Sequence, residues 1–314
     1  MQSQIESLKD SLADLNKLPI FIGIGGQRCG STWLDKILRL HPQICMAPKE
    51  SSFFNLKIRT ENLDWYYQLF EAERKQKQDK STYLRGDFTP TYSAMFPEEV
   101  ALVQELFPES KIIFIIRNPL DRLISQITRQ WTYSYVDKGA STTRNLFALL
   151  RQVDTGLSRR LTDYLKTYQI WSNAFGKENI FIEKYDTLAK EPEAFLSKIL
   201  EFIGAEPYTF DEEALKAKRN KSKFKEEIPP ILKWYLAVEW LSKTRELQKN
   251  IDLDVNDWIE SLEQIKSSGK MQWHLIRLVH KIYFCIPYNT LYFIFNLFRV
   301  KFRVFQARKN SGLL

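Results

Sequence analysis

The stretch FIGIGGQRCGSTWL, residues Phe21–Leu34, predicts a buried strand, a glycine-rich loop and the start of a helix. Gly25 and Gly30 have the separation found in phosphate-binding loops, where a lysine and then a serine or threonine follow the second glycine. Here Ser31 occupies the position of the lysine, and Thr32 closes the motif. Because that lysine reaches the β and γ phosphates, its absence argues against ATP or GTP but not against a ligand with a shorter anionic tail.

Two more strand-and-helix units follow along the chain. The run KIIFIIRNP at 111–119 is apolar and β-branched, and it leads into a helical pattern. The run NIFIEKY at 179–185 precedes a second helical pattern, which Gly204 is expected to end as a C-cap. Short apolar strands separated by helices predict an α/β fold, with a central parallel sheet covered by helices on both faces. Further helical patterns cover 61–75, 98–107, 158–175 and 229–249.

The composition favours an anionic partner. The 314 residues are 44% hydrophobic and 14% aromatic, which is enough to bury a substantial core. The net charge of +8 makes nucleotides, anionic lipid surfaces, sulfated or phosphorylated ligands and nucleic acid all candidate partners. The spacing of Cys29, Cys45 and Cys285 predicts neither a zinc site nor a disulfide framework, and a reducing compartment fits.

The sequence patterns at the two ends of the chain predict segments outside the main domain. Residues 1–18 form a short amphipathic leader without the apolar run of a signal peptide, which favours a cytoplasmic location. The main domain is predicted at 19–250 and a helical C-terminal extension at 251–314. Within this extension, 282–298 is a run of 17 uncharged residues with basic residues on both sides. It suits either an interfacial helix on the cytoplasmic face of a membrane, through 271–310, or a helix packed on the domain.

The first loop has the chemistry of an anion-binding site. It is expected at the carboxyl end of a strand and at the start of a helix, where backbone N–H groups and the helix dipole hold anions. Ser31 and Thr32 add hydroxyl groups, and Arg28 adds a permanent charge with a bidentate fork. Arg28 also stands where a dinucleotide-binding fingerprint needs its third glycine, so that fingerprint fails. The alternative is a glycine-rich turn that binds nothing.

A second candidate anion-binding group, Arg117 and Ser125, also follows a predicted strand. Arg117 stands just past the end of a predicted strand, and Ser125 follows two turns into the next helix. Because the carboxyl ends of parallel strands share one edge of a sheet, this pair is expected at the same edge as the loop, where it can bind a second phosphate. The alternative is that Arg117 caps a helix or lies on the surface.

Together these motifs resemble those of the sulfotransferases that use 3′-phosphoadenosine 5′-phosphosulfate (PAPS), in particular bacterial-like single-domain members of the carbohydrate and tyrosylprotein type. The resemblance implies a P-loop NTPase-like three-layer fold, with PAPS as co-substrate and no metal. It implies that the 5′-phosphosulfate is bound by Arg28, Cys29, Gly30, Ser31, Thr32 and Trp33. It also implies that Arg117 and Ser125 bind the 3′-phosphate. Since this donor has no γ-phosphate, the missing lysine is expected.

Three other stretches carry the same resemblance. KESSFF at 49–54 and GDFTPTY at 86–92 are similar to segments of carbohydrate-type members. EKYDTLAKEP at 183–192 is similar to a third stretch of the family. The ordered matches span 19–205, and they are more specific together than any of them is alone.

The resemblance also assigns the catalytic groups. It implies that Glu50 is the general base that takes the proton of the acceptor hydroxyl, and that Arg28 holds the charge that develops on the leaving oxygen. Many members carry a lysine in place of Arg28. Asp87 is the second candidate for the base and His41 a third, although His41 more simply ends a helix before a proline. The alternative for Lys49 and Glu50 is a solvated pair.

Five residues have weaker assignments. Asp87 and Phe88 are expected to contact the acceptor, although many members have a lysine in place of Phe88. Tyr185 resembles a position that approaches the adenine, or else it belongs to the core. Arg219 and Lys221 lie in a basic stretch that resembles a loop closing over the 3′-phosphate, or else they form part of a solvated charge run.

The sequence therefore predicts a sulfotransferase that moves a sulfuryl group from PAPS to an acceptor hydroxyl, on a carbohydrate or a lipid-linked molecule. A P-loop-like nucleotide-dependent phosphotransferase is disfavoured by Ser31. A basic membrane-binding or nucleic-acid-binding protein would leave the arginines at the two strand ends without a role, so no nucleic-acid partner is expected.

Overall fold

The structure is a computed structural model that describes residues 20–77, 83–131, 149, 152–216, 228–268, 300–302 and 304–311. The chain divides into two compact units. Unit 1 comprises Met1–Ile116, Gln169–Arg219 and Phe298–Leu314, and unit 2 comprises Arg117–Tyr168 and Asn220–Leu297. Outside the described residues lie the predicted leader at 1–18, Arg219 and Lys221 of the basic stretch, and the uncharged run at 282–298.

Unit 1 is built around a sheet of five parallel strands, whose order across the sheet is β2-β3-β1-β4-β5. The strands are β1 (Ile20–Gly25), β2 (Ile44–Met46), β3 (Leu84–Phe88), β4 (Lys111–Ile116) and β5 (Ile180–Lys184). In the register, Gly23 of β1 lies beside Phe88 on one side and Ile113 on the other. The predicted α/β fold with a central parallel sheet is confirmed.

The strand order creates a switch point at the centre of the sheet. From β1 the chain goes to β2 and β3 on one side, and then it crosses to β4 on the other side. At such a point the connections leave the carboxyl ends of neighbouring strands in opposite directions, which opens the crevice where α/β sheets bind ligands. The glycine-rich loop after β1 begins at this point.

Helices flank the sheet. The described α-helices are α1 (Ser31–Leu38), α2 (Leu63–Arg74), α3 (Pro97–Leu106), α4 (Pro119–Trp131), α5 (Gly156–Thr162), α6 (Tyr164–Phe175), α7 (Tyr185–Lys190), α8 (Pro192–Ile203), α9 (Glu212–Lys216), α10 (Pro230–Asn250) and α11 (Asn256–Ser267). α1 and α8 bury their apolar sides in one core with β1 and β4, through residues that include Leu34, Ile37, Phe195 and Ile199. The predicted C-cap is confirmed, because Gly204 ends α8 with a φ of 74°.

One predicted helix is divided. The pattern at 158–175 forms α5 and α6, because Asp163 leaves the helical conformation with a ψ of 72°. The side chain of Thr155 caps the start of α5 by accepting a hydrogen bond from the Ser158 N–H at 3.0 Å. The apolar periodicity continues across the break, so the sequence pattern alone does not show it.

Part of the C-terminal extension packs on unit 1. Residues 300–302 and 304–310 are helical, and the Asn310 side chain donates hydrogen bonds to the carbonyl oxygens of Ile58 and Arg59. This part of the extension therefore packs on the rest of unit 1. The run at 282–298, for which a membrane interface or packing on the domain was predicted, lies outside the described residues. Among the described residues, every helix is too short or too polar to span a bilayer.

Unit 2 is helical in its described part. α4, α10 and α11 share an apolar core that includes Leu123, Ile127, Leu236, Trp240 and Leu262. The buried Arg122 of α4 links this helix to α5, since its Nη1 donates to Thr162 Oγ1 at 2.6 Å. Its Nη2 donates to Gln126 Oε1, also at 2.6 Å. This network fixes the orientation of α4, the helix that carries Ser125.

Candidate functional site

The loop between β1 and α1 has a backbone that side chains rarely allow. Gly25 has a φ of 140° and Gly30 a φ of 84°, and Arg28 between them has a φ of 70°. Such values favour glycine, so Arg28 is held in a strained conformation. Gly30 is the N-cap of α1, and its carbonyl oxygen accepts from the N–H groups of Trp33 and Leu34 at 2.9 and 3.1 Å. The short loop 26–30 therefore connects the end of β1 to the first N–H groups of α1, and such a strand end followed by a helix N-terminus suits an anion.

Steric space also requires glycine at positions 25 and 30. A Cβ atom at Gly30 would lie 3.0 Å from the ring of Tyr185, and one at Gly25 would lie 2.9 Å from the carbonyl oxygen of Pro90. Tyr185 is the first residue of α7 and is half-buried. The Tyr185 ring therefore lies directly beside the loop at Gly30.

The residues predicted to bind the 5′-phosphosulfate differ in the solvent exposure of their side chains. Thr32 is exposed, and Arg28 and Ser31 are half-buried, so these side chains reach the surface. The side chains of Cys29 and Trp33 are buried in the core beneath the loop. The side chains of Cys29 and Trp33 therefore attach the loop to the core and leave only their backbone atoms available to a ligand.

The segment 49–54 is held against the end of β3. Ser52 has a φ of 52°, and its N–H donates to Thr89 Oγ1 at 3.1 Å. Within the part of the chain that the structure describes, Arg28 and Ser52 are the two non-glycine residues with a positive φ. Such conformations persist where surrounding contacts enforce them, and they cluster at functional sites.

Asp87 is the centre of a hydroxyl network that supports this segment. Its side chain is fully buried, and Oδ2 accepts hydrogen bonds from the hydroxyls of Ser51 at 2.7 Å, Tyr92 at 2.9 Å and Tyr66 at 3.1 Å. Oδ1 accepts from Thr89 at 3.3 Å. Burial raises the pKa of Asp87, and the hydroxyl donors oppose this rise. An enclosed carboxylate is not presented to an acceptor, which corrects the predictions of Asp87 as base and as acceptor contact.

Glu50 and Lys49 occupy opposite environments. Glu50 is exposed. The Lys49 Nζ atom is buried 5.5 Å from the centroid of the Phe88 ring, and it has no hydrogen-bond partner among the described residues. Burial lowers the pKa of Lys49 to about 8, against the opposing charges of Asp35, Glu50 and Asp87. Lys49 and Glu50 are therefore not a solvated pair, and Glu50 is the exposed carboxylate of this segment.

Two other predicted candidates are buried. Phe88 packs edge-on against Phe21 with ring centroids 6.1 Å apart, so it contacts the core and not an acceptor. His41 Nδ1 accepts from the Gln43 N–H at 3.1 Å, so Nε2 carries the proton that is donated to the Glu206 carbonyl oxygen at 2.9 Å. Burial also lowers the pKa of His41. With both nitrogens engaged, His41 is not placed to accept the proton of a substrate.

Arg117 and Ser125 lie at the start of α4, in unit 2. Arg117 directly follows β4, and its guanidinium lies 3.8 Å from the carboxylate of Asp121. The helix start is capped by Asn118, whose Oδ1 accepts from the Leu120 N–H at 3.0 Å, so Arg117 is not the capping residue. Ser125 is half-buried in the second turn of α4. The strand end and the early helix turn are the places predicted for this pair.

Sequence reasoning missed the residues that support the site. It identified KESSFF and GDFTPTY as matching stretches, but not that Ser51, Thr89 and Tyr92 share the Asp87 carboxylate. The hydroxyl residues that follow Asp87 in GDFTPTY were the available signal, whereas Tyr66 on α2 gave none. The site is made of guanidinium, carboxylate and hydroxyl groups. The described residues hold no cluster of histidine, cysteine, aspartate and glutamate side chains that could bind a metal ion.

Comparison with known proteins matches most of the chain to one family. Residues 19–272 match the family model described as the sulfotransferase domain. Among solved structures, a sulfotransferase from Alicyclobacillus acidocaldarius superposes with a TM-score of 0.56, over 76% of this chain and 97% of that chain, at 20% identity. At this identity the similarity concerns the fold, and it agrees with the P-loop-like sheet described above.

Two curated relatives share shorter stretches. The membrane-associated sulfotransferase kil1 of Dictyostelium discoideum is 31% identical over 116 residues, which are 36% of this chain and 24% of that protein. The human bifunctional heparan sulfate N-deacetylase/N-sulfotransferase 2 is 24% identical over 213 residues, which are 62% of this chain and 23% of that protein. The chain therefore spans about a quarter of the length of these relatives.

Proposed function

Because the chain belongs to the sulfotransferase domain family, we propose that it transfers a sulfuryl group from PAPS to a hydroxyl group of a carbohydrate or lipid-linked acceptor. The observation that carries the proposal is the loop between β1 and α1. It combines positive φ values at Gly25, Arg28 and Gly30 with a serine where a nucleoside triphosphate requires a lysine. PAPS ends in a 5′-phosphosulfate and has no γ-phosphate, so it is a donor that this loop fits.

The two phosphate-bearing ends of the donor are assigned to different residues. The first amides of α1, the hydroxyls of Ser31 and Thr32 and the backbone from 28 to 33 bind the 5′-phosphosulfate. Arg117 and Ser125 bind the 3′-phosphate, for which a guanidinium and a hydroxyl at the start of a helix are suited. Tyr185, which stands against Gly30, contacts the adenosine. Arg219 and Lys221 contact the 3′-phosphate, as the resemblance implies.

The reaction is an in-line displacement at sulfur. Glu50 takes the proton of the acceptor hydroxyl, whose oxygen forms a bond to sulfur. The bond between sulfur and the bridging oxygen of the donor breaks, and 3′-phosphoadenosine 5′-phosphate (PAP) leaves with the negative charge. Arg28 stabilises this charge, and because a guanidinium keeps its proton, its contribution is electrostatic. The products are PAP, the sulfated acceptor and the proton on Glu50.

The acceptor class has two lines of support. A curated relative is named for heparan sulfate, which favours a carbohydrate, and another is named as membrane-associated, which favours an acceptor at a membrane. Within unit 1, Glu50 is exposed while Asp87 and Phe88 are buried. An acceptor therefore meets this part of the protein at Glu50.

Calorimetric titration with PAP tests the donor. We expect micromolar binding, weakened at least about tenfold in Arg117→Ala, since a charge-assisted hydrogen bond contributes roughly 1.5–3 kcal/mol. The matched control is Arg129→Ala, which removes an exposed arginine at the other end of α4 and should leave the affinity unchanged. A wild-type protein that does not bind PAP would overturn the proposal.

Thermal unfolding with added nucleotides and polynucleotide binding at different salt concentrations distinguish the alternative functions. A nucleotide-dependent phosphotransferase would be protected against thermal unfolding by ATP and not by PAP. A nucleic-acid-binding protein would bind polynucleotides with an affinity that falls steeply as salt is added. We expect protection by PAP alone and no salt-dependent binding to polynucleotides.

A further inference from the structure

The helical residues near the C-terminal end of the described chain have one side fixed to the protein. Val300, Ala307 and Ser311 are buried. Arg308 pairs with Glu105 of α3 at 3.1 Å, and Asn310 donates to the carbonyl oxygens at 58 and 59. These contacts set which side of the helical segment faces away from the rest of unit 1.

The opposite side presents aromatic and basic side chains. Phe302 is 60% exposed and Phe305 is 57% exposed, more than the other large hydrophobic residues of the described chain. Lys301 and Lys309 are exposed as well. Spacings of three and four residues put these side chains on one face of a helix. We call Lys301, Phe302, Phe305 and Lys309 the C-terminal face.

A single exposed apolar side chain is ordinary, but one feature of this face and two features of the chain favour a membrane-binding surface. Its phenylalanines are flanked by lysines, which is the pattern of helices that lie in a bilayer interface. The 17 uncharged residues at 282–298 end one residue before this segment begins, separated only by Arg299. The chain carries a net charge of +8, which suits an anionic surface.

We propose that the C-terminal face lies on an anionic lipid bilayer, with Phe302 and Phe305 entering the boundary between headgroups and acyl chains and with Lys301 and Lys309 meeting lipid phosphates. The occupant is a lipid surface and not a second protein, because the two phenylalanines are flanked by charges of one sign that match a uniformly anionic plane. Phe302 and Phe305 are therefore the two apolar side chains responsible for membrane contact.

Membrane contact through the C-terminal face also favours one class of acceptor, a conclusion that rests on the proposed function. The helical residues that carry the C-terminal face are anchored at Ile58 and Arg59, which follow Glu50 by eight and nine residues in the chain. If the C-terminal face lies on a bilayer, we therefore expect the acceptor hydroxyl to be attached to a membrane molecule.

Vesicle co-sedimentation of the full chain tests the proposal. The probes are phosphatidylcholine vesicles with and without phosphatidylglycerol. We expect binding to the anionic vesicles, weakened at least about tenfold in the double variant Phe302→Ser/Phe305→Ser, since two phenylalanine side chains lose their transfer from water. Lys301→Gln/Lys309→Gln should weaken binding to the anionic vesicles several-fold and leave binding to neutral vesicles unchanged.

The matched control is Leu40→Ser/Tyr208→Ser, which removes two exposed hydrophobic residues elsewhere on unit 1 and should bind as the wild type does. Truncation is avoided, because it removes the docked helix as well as its exposed face. Unchanged binding in the phenylalanine variant overturns the proposal, as does an equal loss in the control. A change in oligomeric state without a loss of lipid binding also overturns it, in favour of a second copy of this chain.

PAP titration of each variant keeps the two proposals separate. A variant that still binds PAP is folded, so its loss of lipid binding reports on the C-terminal face. A wild-type protein that binds vesicles but not PAP contradicts the proposed sulfotransferase donor and leaves the membrane surface standing.

Discussion

The hydroxyl of Ser51 donates a hydrogen bond to Oδ2 of Asp87 at 2.7 Å, and both groups are buried. Through this bond the end of β3 holds the residue that follows Glu50 directly in the chain. The proposed base is therefore positioned by a carboxylate that does not itself reach the substrate.

Asp87→Asn should lower turnover while leaving donor binding intact. An asparagine keeps the shape, but its amide nitrogen cannot accept hydrogen bonds, so at least one buried hydroxyl loses its partner at a cost of about 1–3 kcal/mol. We expect turnover at least about tenfold lower and PAP affinity within about twofold of the wild type. Tyr83→Phe, which removes a hydroxyl bonded to Glu71 and not to Asp87, is the control. A loss of PAP binding in proportion to turnover would mean that Asp87 supports the whole unit.

Glu50→Gln should strongly lower turnover without changing donor affinity. The amide cannot take the proton of the acceptor hydroxyl, and general-base catalysis typically contributes 10²- to 10⁴-fold, so a loss of about that size is expected. The measurement is sulfate transfer from PAPS beside a PAP titration. Glu98→Gln, at an exposed position on α3, should behave as the wild type does. Near-normal turnover in Glu50→Gln would remove Glu50 from the mechanism.

Gly30→Ala should weaken donor binding, and Gly204→Ala should not. Both glycines have a positive φ, 84° and 74°, so each substitution strains the backbone by about 1–2 kcal/mol. Only at Gly30 does the new Cβ approach another group, the Tyr185 ring at 3.0 Å, whereas nothing lies within 4 Å at Gly204. Thermal unfolding should show similar destabilisation for the two variants. PAP affinity should fall about tenfold in Gly30→Ala alone, and equal affinities would contradict the role of the loop.

Lys49→Met should stabilise the protein at neutral pH. The pKa of Lys49 falls from an ordinary 10.5 to about 8, so between these values the unfolded chain binds a proton that the folded chain has released. Stability of the wild type therefore rises with pH across this window, by at most about 3 kcal/mol. The methionine variant lacks this dependence and should be more stable at pH 7, with a difference that shrinks as the pH increases.

Denaturant unfolding of both proteins from pH 7 to pH 10.5 measures this difference. Lys36→Met, at an exposed position on α1, is the control and should not alter the pH dependence. A Lys49→Met protein that is less stable than the wild type at pH 7 would show that the lysine pairs favourably with the carboxylates around it.

The strands and the anion loop could be predicted from the sequence because their signals are local. The apolar runs at β1, β4 and β5 and the glycine motif from Gly25 to Gly30 are each contained in a few consecutive residues. The Asp87 network could not be predicted, since its Tyr66 and Ser51 come from other parts of the chain. Whether a carboxylate is an exposed base or a buried support depends on such packing.

Two other features were missed for similar physical reasons. The break at Asp163 leaves the apolar periodicity intact, so α5 and α6 look like one helix in the sequence. β2 has only three residues, Ile44–Met46, too few for a periodic signal, and its pairing with β3 is what defines it. Burial of the Lys49 amine beside an exposed Glu50 likewise follows from tertiary contacts. From the sequence, two adjacent charged residues are both expected to be exposed to solvent.

The anchoring of Asn310 to Arg59 has a consequence for the synthesis of the chain. The two residues are 251 positions apart, so at roughly 5–20 residues per second a ribosome makes the second about 10–50 s after the first. During that interval the nascent chain can form its early strands, but the Arg59 carbonyl oxygen lacks its hydrogen bond from Asn310. Completion of unit 1 is therefore a late event of translation.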